Sequence, residues 1–199
     1  IPQLALVFIL VFLNGFFVAS EFALVAVRKT RIDELVKNGN KSARLVQKAI
    51  KNLDTYISAT QLGITLASLG LGWLGEPVIA KFLEPYLEIF LSEQIAFVSA
   101  HGVAIAIAFS LITFLHIVLG ELAPKSIALQ KAETTSLWII RPLSLFTTIF
   151  KPFIWILNGA GILVLKLIGF KAPSGHQLVH SEEEIKMILA QSAEEGAIE

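Results

Sequence analysis

His116-Ile117-Val118-Leu119-Gly120-Glu121-Leu122-Ala123-Pro124-Lys125 closes a run of 25 residues, Ile95 to Leu119, that carries no formal charge. A bilayer is crossed by about 20 apolar residues in a helix, so the run is long enough to span one. A carboxylate at the end of such a span costs roughly 2.5 kcal/mol or more without a partner, and by default marks an ion or substrate path. Pro124 adds a second feature. It has no N–H to give, which leaves the carbonyl four residues back, Gly120, without its helical hydrogen bond. One short segment therefore offers two oxygen ligands, the Glu121 carboxylate and the Gly120 carbonyl. The competing reading has Glu121 simply ending a helix in the headgroup region, paired with Lys125 one turn on.

Composition points the same way. With 55% hydrophobic and 16% charged residues and a mean hydropathy of +0.72, the 199-residue chain is too apolar for a soluble domain. It reads as an all-α integral membrane protein. The formal net charge is zero, so no basic surface points to nucleic acid, and zero cysteines exclude disulfides, thiolate metal sites and cysteine catalysis. No charged n-region or cleavage site precedes the first apolar run, and the chain is expected to be a segment of a longer protein.

Three spans are predicted, at about 4–27, 55–75 and 97–121. The first is interrupted by Asn14 and by Ser20-Glu21. Between the first two lies Arg28 to Lys51, with eight basic residues against Asp33 and Glu34, which the positive-inside rule makes cytoplasmic. The connection from Glu76 to Gln94 has one Lys and four Glu and suits the outer face. The N-terminus is then outside and the third span ends inside, in a multi-pass protein of the cell membrane. The region 136–170 is apolar but broken by Arg141-Pro142 and Lys151-Pro152, with Trp138 and Trp155 nearby. It is expected to form juxtamembrane belt helices at the inner interface, although the 18 residues from Phe153 to Phe170 are long enough for a fourth span. These parts make up a transmembrane domain over 1–170. Residues 171–199 read as a linker, Ala172-Pro173-Ser174-Gly175, and an acidic cytoplasmic helix opened by Ser181-Glu182-Glu183-Glu184. Its apolar stripe, Ile185, Ile188 and Leu189, lacks a partner, so more protein is expected beyond it.

Depth allows the polar residues to meet. At about 1.5 Å per residue Ser20 lies roughly 24 Å below the outer start of the first span, and Gln61 and Gly63 roughly 9–12 Å above the inner end of the second, with Thr65 a little higher. Each set adjoins a helix weak point, and irregular backbone at membrane depth is tolerated only where it is buried in protein or lines a cavity. Close helix packing is the alternative for the small residues Ala59, Gly63, Ala67 and Gly70. A carboxylate, a hydroxyl, an amide or threonine oxygen and freed carbonyls form an all-oxygen set suited to hard cations, Mg²⁺ first, with Ca²⁺, Mn²⁺ or Na⁺ behind. The candidate metal ligands are Ser20, Gln61, Gly63, Thr65, Gly120 and Glu121. His116 is expected to be a buried, hydrogen-bonded histidine.

Ser20-Glu21-Phe22-Ala23-Leu24, the stretch Ser58-Ala59-Thr60-Gln61-Leu62-Gly63-Ile64-Thr65 with Gly72-Trp73-Leu74-Gly75-Glu76-Pro77, and Gly120-Glu121-Leu122-Ala123-Pro124-Lys125 together resemble the transmembrane domain of the CorC/CNNM (cyclin M) magnesium transporters, in the bacterial hemolysin-like branch. The resemblance covers the whole chain. It implies a homodimer with three transmembrane helices per subunit, a belt helix, and an acidic helix leading to a pair of nucleotide-binding CBS domains that lies outside these residues. It also implies Mg²⁺ efflux coupled to Na⁺ entry, with the ion held by the residues matching Ser20 and Glu121. One departure stands out: Ile64 occupies the position of an Asn that serves many relatives as a proposed ligand. Gln61, Thr65 or water must then supply that oxygen.

Two other classes compete. An intramembrane hydrolase would use Ser20, His116 and Glu121 as nucleophile, base and orienter. A Mg²⁺ sensor or scaffold would use the same membrane domain as an anchor, without transport.

Overall fold

The computed structural model describes residues 2–90, 96–169 and 186. Among them all regular structure is helical, in the order α1 (Pro2–Ala26), α2 (Lys29–Lys37), α3 (Lys41–Lys51), α4 (Leu53–Phe90), α5 (Ala96–Ile117), a π-helical turn (Val118–Leu122), α6 (Ala123–Gln130), α7 (Ala132–Ile149) and α8 (Lys151–Leu167). Three stretches are long and apolar enough to cross a membrane: Leu4–Ala26, Leu53–Leu83 and Gly102–Gln130. In hydrocarbon every backbone N–H and C=O must be paired within its own segment, which is why these apolar runs are helices. The expected linker at 172–175 and the acidic helix from Ser181 lie outside the described residues, apart from Lys186.

Two boundaries differ from the sequence reading. Glu76 to Gln94, expected as an outer connection, is helical as far as Phe90, and Pro77 and Pro85 lie inside α4. Tertiary packing outweighs the lost hydrogen bonds. Beyond Pro77, Ile79 and Ala80 bury against Val7 and Val11 of α1 and Ala108 and Ile112 of α5, so the apolar stripe continues past the proline. The third span, expected to stop at Glu121, likewise continues through the π turn into α6 and reaches Gln130.

At the end of the bundle where α1 meets the basic segment, a second core forms. Ile32 of α2 and Ala43, Val46 and Ala49 of α3 pack with Phe17 and Leu24 of α1 and with Ile139, Ile140 and Leu143 of α7. Ser136, Ile139, Ile140, Leu143 and Thr147 are the buried face of α7, a spacing of three and four that gives a helix one apolar side. Asn40 caps α3 by accepting the Ala43 N–H at 3.1 Å. Arg31 Nε reaches Glu133 at 3.0 Å and its Nη1 reaches Glu34 at 2.7 Å. This pins α2 to the start of α7, and both carboxylates, Glu34 first, raise the Arg31 pKa further.

The chain divides into two compact units, Ile1–Asn158 and Gly159–Glu199. In the first, α8 begins after a sharp bend at Phe150 and buries Ile154, and Ser58 Oγ donates to Asn158 Oδ1 at 2.6 Å. The second is described from the remainder of α8 to Gly169, and at Lys186.

Candidate functional site

The π turn originates in the sequence. Pro124 cannot donate to Gly120 O and its ring crowds that carbonyl, and the helix responds with a bond one residue longer, from Ala123 N–H to Val118 O. The Gly120 carbonyl does not stay empty. Asn14 Nδ2 donates to it at 2.8 Å, and both residues are buried. Close approach of α1 makes this possible: a Cβ on Gly15 would sit 2.9 Å from the Pro124 ring and 3.1 Å from Leu119 O, and one on Gly120 would sit 3.2 Å from Asn14 Nδ2. Ser68 Oγ of α4 completes the chain, donating to Asn14 Oδ1 at 3.2 Å and lying 3.3 Å from His116 Nε2. One hydrogen-bonded network thus ties all three spans together at the bend.

Beside this network lies a cavity of about 550 Å³ lined by α1, α4, α5 and the π turn. Its polar lining is Asn14, Glu21, Gln61, Thr65, Ser68, His116 and Glu121. On α1, Asn14, Val18, Glu21 and Phe22 line it, a spacing of four, seven and eight that shares one helical face; on α4, Gln61, Ile64, Thr65 and Ser68 do the same. His116 and Glu121 are five residues apart, which in a straight α-helix leaves about 140° between them. The π turn lies between them and draws the pair toward one face.

Three candidate ligands meet here: Gln61, Thr65 and Glu121. Three do not line the cavity. Ser20 lies one residue from Glu21, about 100° round the helix, and is fully buried with its Oγ donating to Phe16 O at 2.7 Å. Gly63 falls on the packing face of α4 with Ala59, Ala67 and Leu71, all buried. A Cβ there would lie 2.5 Å from the Phe17 ring. Gly120 presents its carbonyl to Asn14, as described. Thr65 Oγ1 donates to Gln61 O at 2.8 Å, leaving its lone pairs for the cavity.

Glu121 has no pairing with Lys125, whose ammonium sits 4.6 Å over the centre of the Phe22 ring. His116 is only partly buried and faces the cavity. Glu21 is the residue that sequence reasoning passed over in favour of Ser20. Its Oε2 accepts from the buried Thr60 hydroxyl at 3.2 Å, and the signal was available, since a second carboxylate inside an apolar span carries the same cost as Glu121. Among the described residues no cluster of three or more His, Asp or Glu side chains forms a ready-made metal cage. The hydrolase arrangement is not assembled either: His116 and Glu121 line the cavity, whereas the Ser20 hydroxyl is buried against its own helix.

Three apolar spans around a polar, carboxylate-bearing cavity define a multi-pass α-helical membrane protein with a polar site between its spans. The chain belongs to the family described as the cyclin M transmembrane N-terminal domain, which matches residues 5–199. It is 50% identical over 199 residues to the UPF0053 protein YhdT of Bacillus subtilis, covering 100% of this chain and 42% of that protein. The UPF0053 protein YugS of the same organism is 48% identical over 198 residues, 100% of this chain and 46% of the relative. An uncharacterized protein of Mycobacterium tuberculosis, MT1889, is 32% identical over 194 residues, 98% of this chain and 54% of the relative. The chain spans about half the length of these curated relatives.

Proposed function

We propose that this chain is the membrane domain of a Mg²⁺ transporter, with Mg²⁺ as the transported substrate bound in the cavity between α1, α4 and the π turn. The observation that carries this reading is the gathering of two carboxylates, Glu21 and Glu121, with the oxygens of Gln61, Thr65 and Asn14 around one cavity beside a broken helix. Two carboxylates with several neutral oxygens suit a hard divalent cation, and the one imidazole, His116, lines the same cavity. Mg²⁺ dehydrates reluctantly and keeps several waters. A cavity of about 550 Å³ with few direct donors fits a partly hydrated ion better than a stripped one. Ile64 lines the same wall and supplies no oxygen, which places more of the shell on Gln61, Thr65 and water. The Ser20 hydroxyl and the Gly120 carbonyl would join only after exchanging their present partners.

Family membership extends the proposal to Mg²⁺ efflux driven by Na⁺ entry, in a homodimer with the N-terminus outside and regulatory CBS domains following the acidic helix. The eight basic residues of Arg28 to Lys51 support that orientation. The packing of α7 onto α2 and α3 supports a belt at the inner interface. Flux measured on the full-length protein in liposomes, with Na⁺ and Mg²⁺ gradients imposed separately, tests it. Mg²⁺ movement that depends on an opposing Na⁺ gradient is expected. Mg²⁺ binding without flux under any gradient would instead establish a membrane-anchored sensor.

A further inference from the structure

On the face of α1 away from the cavity, an apolar groove of about 670 Å³ runs between α1, α6 and α7, walled by Phe12, Phe16, Leu119, Pro124, Ile127 and Trp138. A pocket of about 620 Å³ with a different character adjoins it, lined by Arg28, Arg31, Gln130, Lys131, Glu133 and Thr134 among others. Lys131 and Thr134 line both. The apolar groove therefore meets a basic, hydrogen-bonding mouth at these two residues.

Charge at the mouth is not cancelled. Arg31 is committed to Glu34 and Glu133, which also accounts for the single carboxylate lining the pocket. Arg28 and Lys131 are both exposed, and neither has a carboxylate within salt-bridge distance among the described residues. Their position is set by the helices: Arg28 follows the end of α1 at Ala26, and Lys131 follows the end of α6 at Gln130. From Phe12 to the end of α1 at Ala26 is about 21 Å at helical rise, with Arg28 just beyond, against roughly 20–22 Å for one leaflet with its headgroups, half of the about 40–45 Å bilayer.

From this continuity of groove and mouth we infer that the α1–α6–α7 face is a binding site for an anionic phospholipid, with an acyl chain along the groove and the phosphate between Arg28 and Lys131. Basic pockets between transmembrane helices at the membrane surface take up acidic headgroups by this combination of charge and shape. Thr134 and Gln130 supply neutral hydrogen-bond partners beside the two cations. A zwitterionic lipid fits the groove equally well but gains far less at the mouth. The site is separate from the ion cavity and does not depend on what that cavity transports.

Trp138 makes the site measurable, because it lines the groove and is 75% exposed. The chain has three tryptophans, so Trp73→Phe with Trp155→Phe leaves Trp138 as its reporter. Reconstitution into phosphatidylcholine vesicles containing either dibrominated phosphatidylglycerol or dibrominated phosphatidylcholine at low mole fraction then reads occupancy as fluorescence quenching. The brominated anionic lipid is expected to quench with an association constant roughly 25-fold higher. Arg28→Gln with Lys131→Gln is expected to remove that preference, about five-fold for each charge lost, while quenching by the neutral lipid stays unchanged and reports an intact groove. Equal quenching by both lipids in the starting chain would overturn the inference. So would a preference that survives the double substitution, or an absence of quenching by either lipid, which would mean that a second copy of the chain covers the groove.

Discussion

Asn14 Nδ2 and Gly120 O, 106 positions apart in the chain, form a buried 2.8 Å hydrogen bond that fills the vacancy Pro124 creates. The helix break at the candidate site is thus held from outside by α1. Asn14→Leu is expected to destabilise the fold by about 1–3 kcal/mol, the cost of a buried carbonyl losing its donor. It is also expected to weaken Mg²⁺ binding through the displaced bend. Denaturant unfolding in detergent, paired with a Mg²⁺ titration, checks both, and unchanged stability would show that water satisfies Gly120 as well as Asn14 does.

Glu121→Gln removes a cavity charge and keeps the shape of the side chain. Mg²⁺ binding is expected to fall at least ten-fold, about 1.4 kcal/mol or more, with the fold retained. Ser20→Ala is expected to cost much less, because that hydroxyl already donates to Phe16 O and lies off the cavity face. Near-normal flux in the Glu121 variant would remove the carboxylate from the mechanism, and an equal loss in both variants would show that Ser20 turns into the cavity when the ion binds.

Along α4 the wall of the cavity is Gln61, Ile64, Thr65 and Ser68. If protein oxygens replace the one that Ile64 lacks, Gln61→Ala or Thr65→Ala lowers Mg²⁺ affinity, and Ile64→Asn is tolerated or tightens binding. Near-normal titrations for both alanine variants would assign that part of the shell to water.

Gly63→Ala probes packing rather than coordination. A methyl group placed 2.5 Å from the buried Phe17 ring must displace it against Phe16 and Phe146, whose rings lie 5.2 and 4.7 Å from that of Phe17. The expected penalty is about 1–3 kcal/mol of overpacking, measured as a lower unfolding midpoint. An unshifted midpoint would mean that α1 and α4 separate readily at this crossing.

Topology is testable because the chain contains no cysteine. A single cysteine introduced at Ser174 is expected to react with a membrane-impermeant reagent only from the cytoplasmic side. Labelling from the outside would make α7 and α8 a fourth, broken span.

The sequence by itself determined the class and the three spans, and singled out Glu121 as a candidate. Each follows from local chemistry: an apolar run of about 20 residues has few alternatives to a membrane-spanning helix, and a carboxylate before a proline at the end of such a run is costly wherever it lies. Asn14 was visible as a polar interruption, but its partner was not, since nothing local to residue 14 indicates a carbonyl near residue 120. Only the tertiary structure decided which polar residues share a cavity. Neighbouring positions on a helix point about 100° apart, so the orientation of α1 admitted Glu21 and excluded Ser20, and that of α4 admitted Gln61 and Thr65 and turned Gly63 onto Phe17. The continuation of α4 past Pro77 was likewise a matter of packing, because the burial of Ile79 and Ala80 against α1 and α5 outweighs a missing hydrogen bond that the local sequence reads as an end.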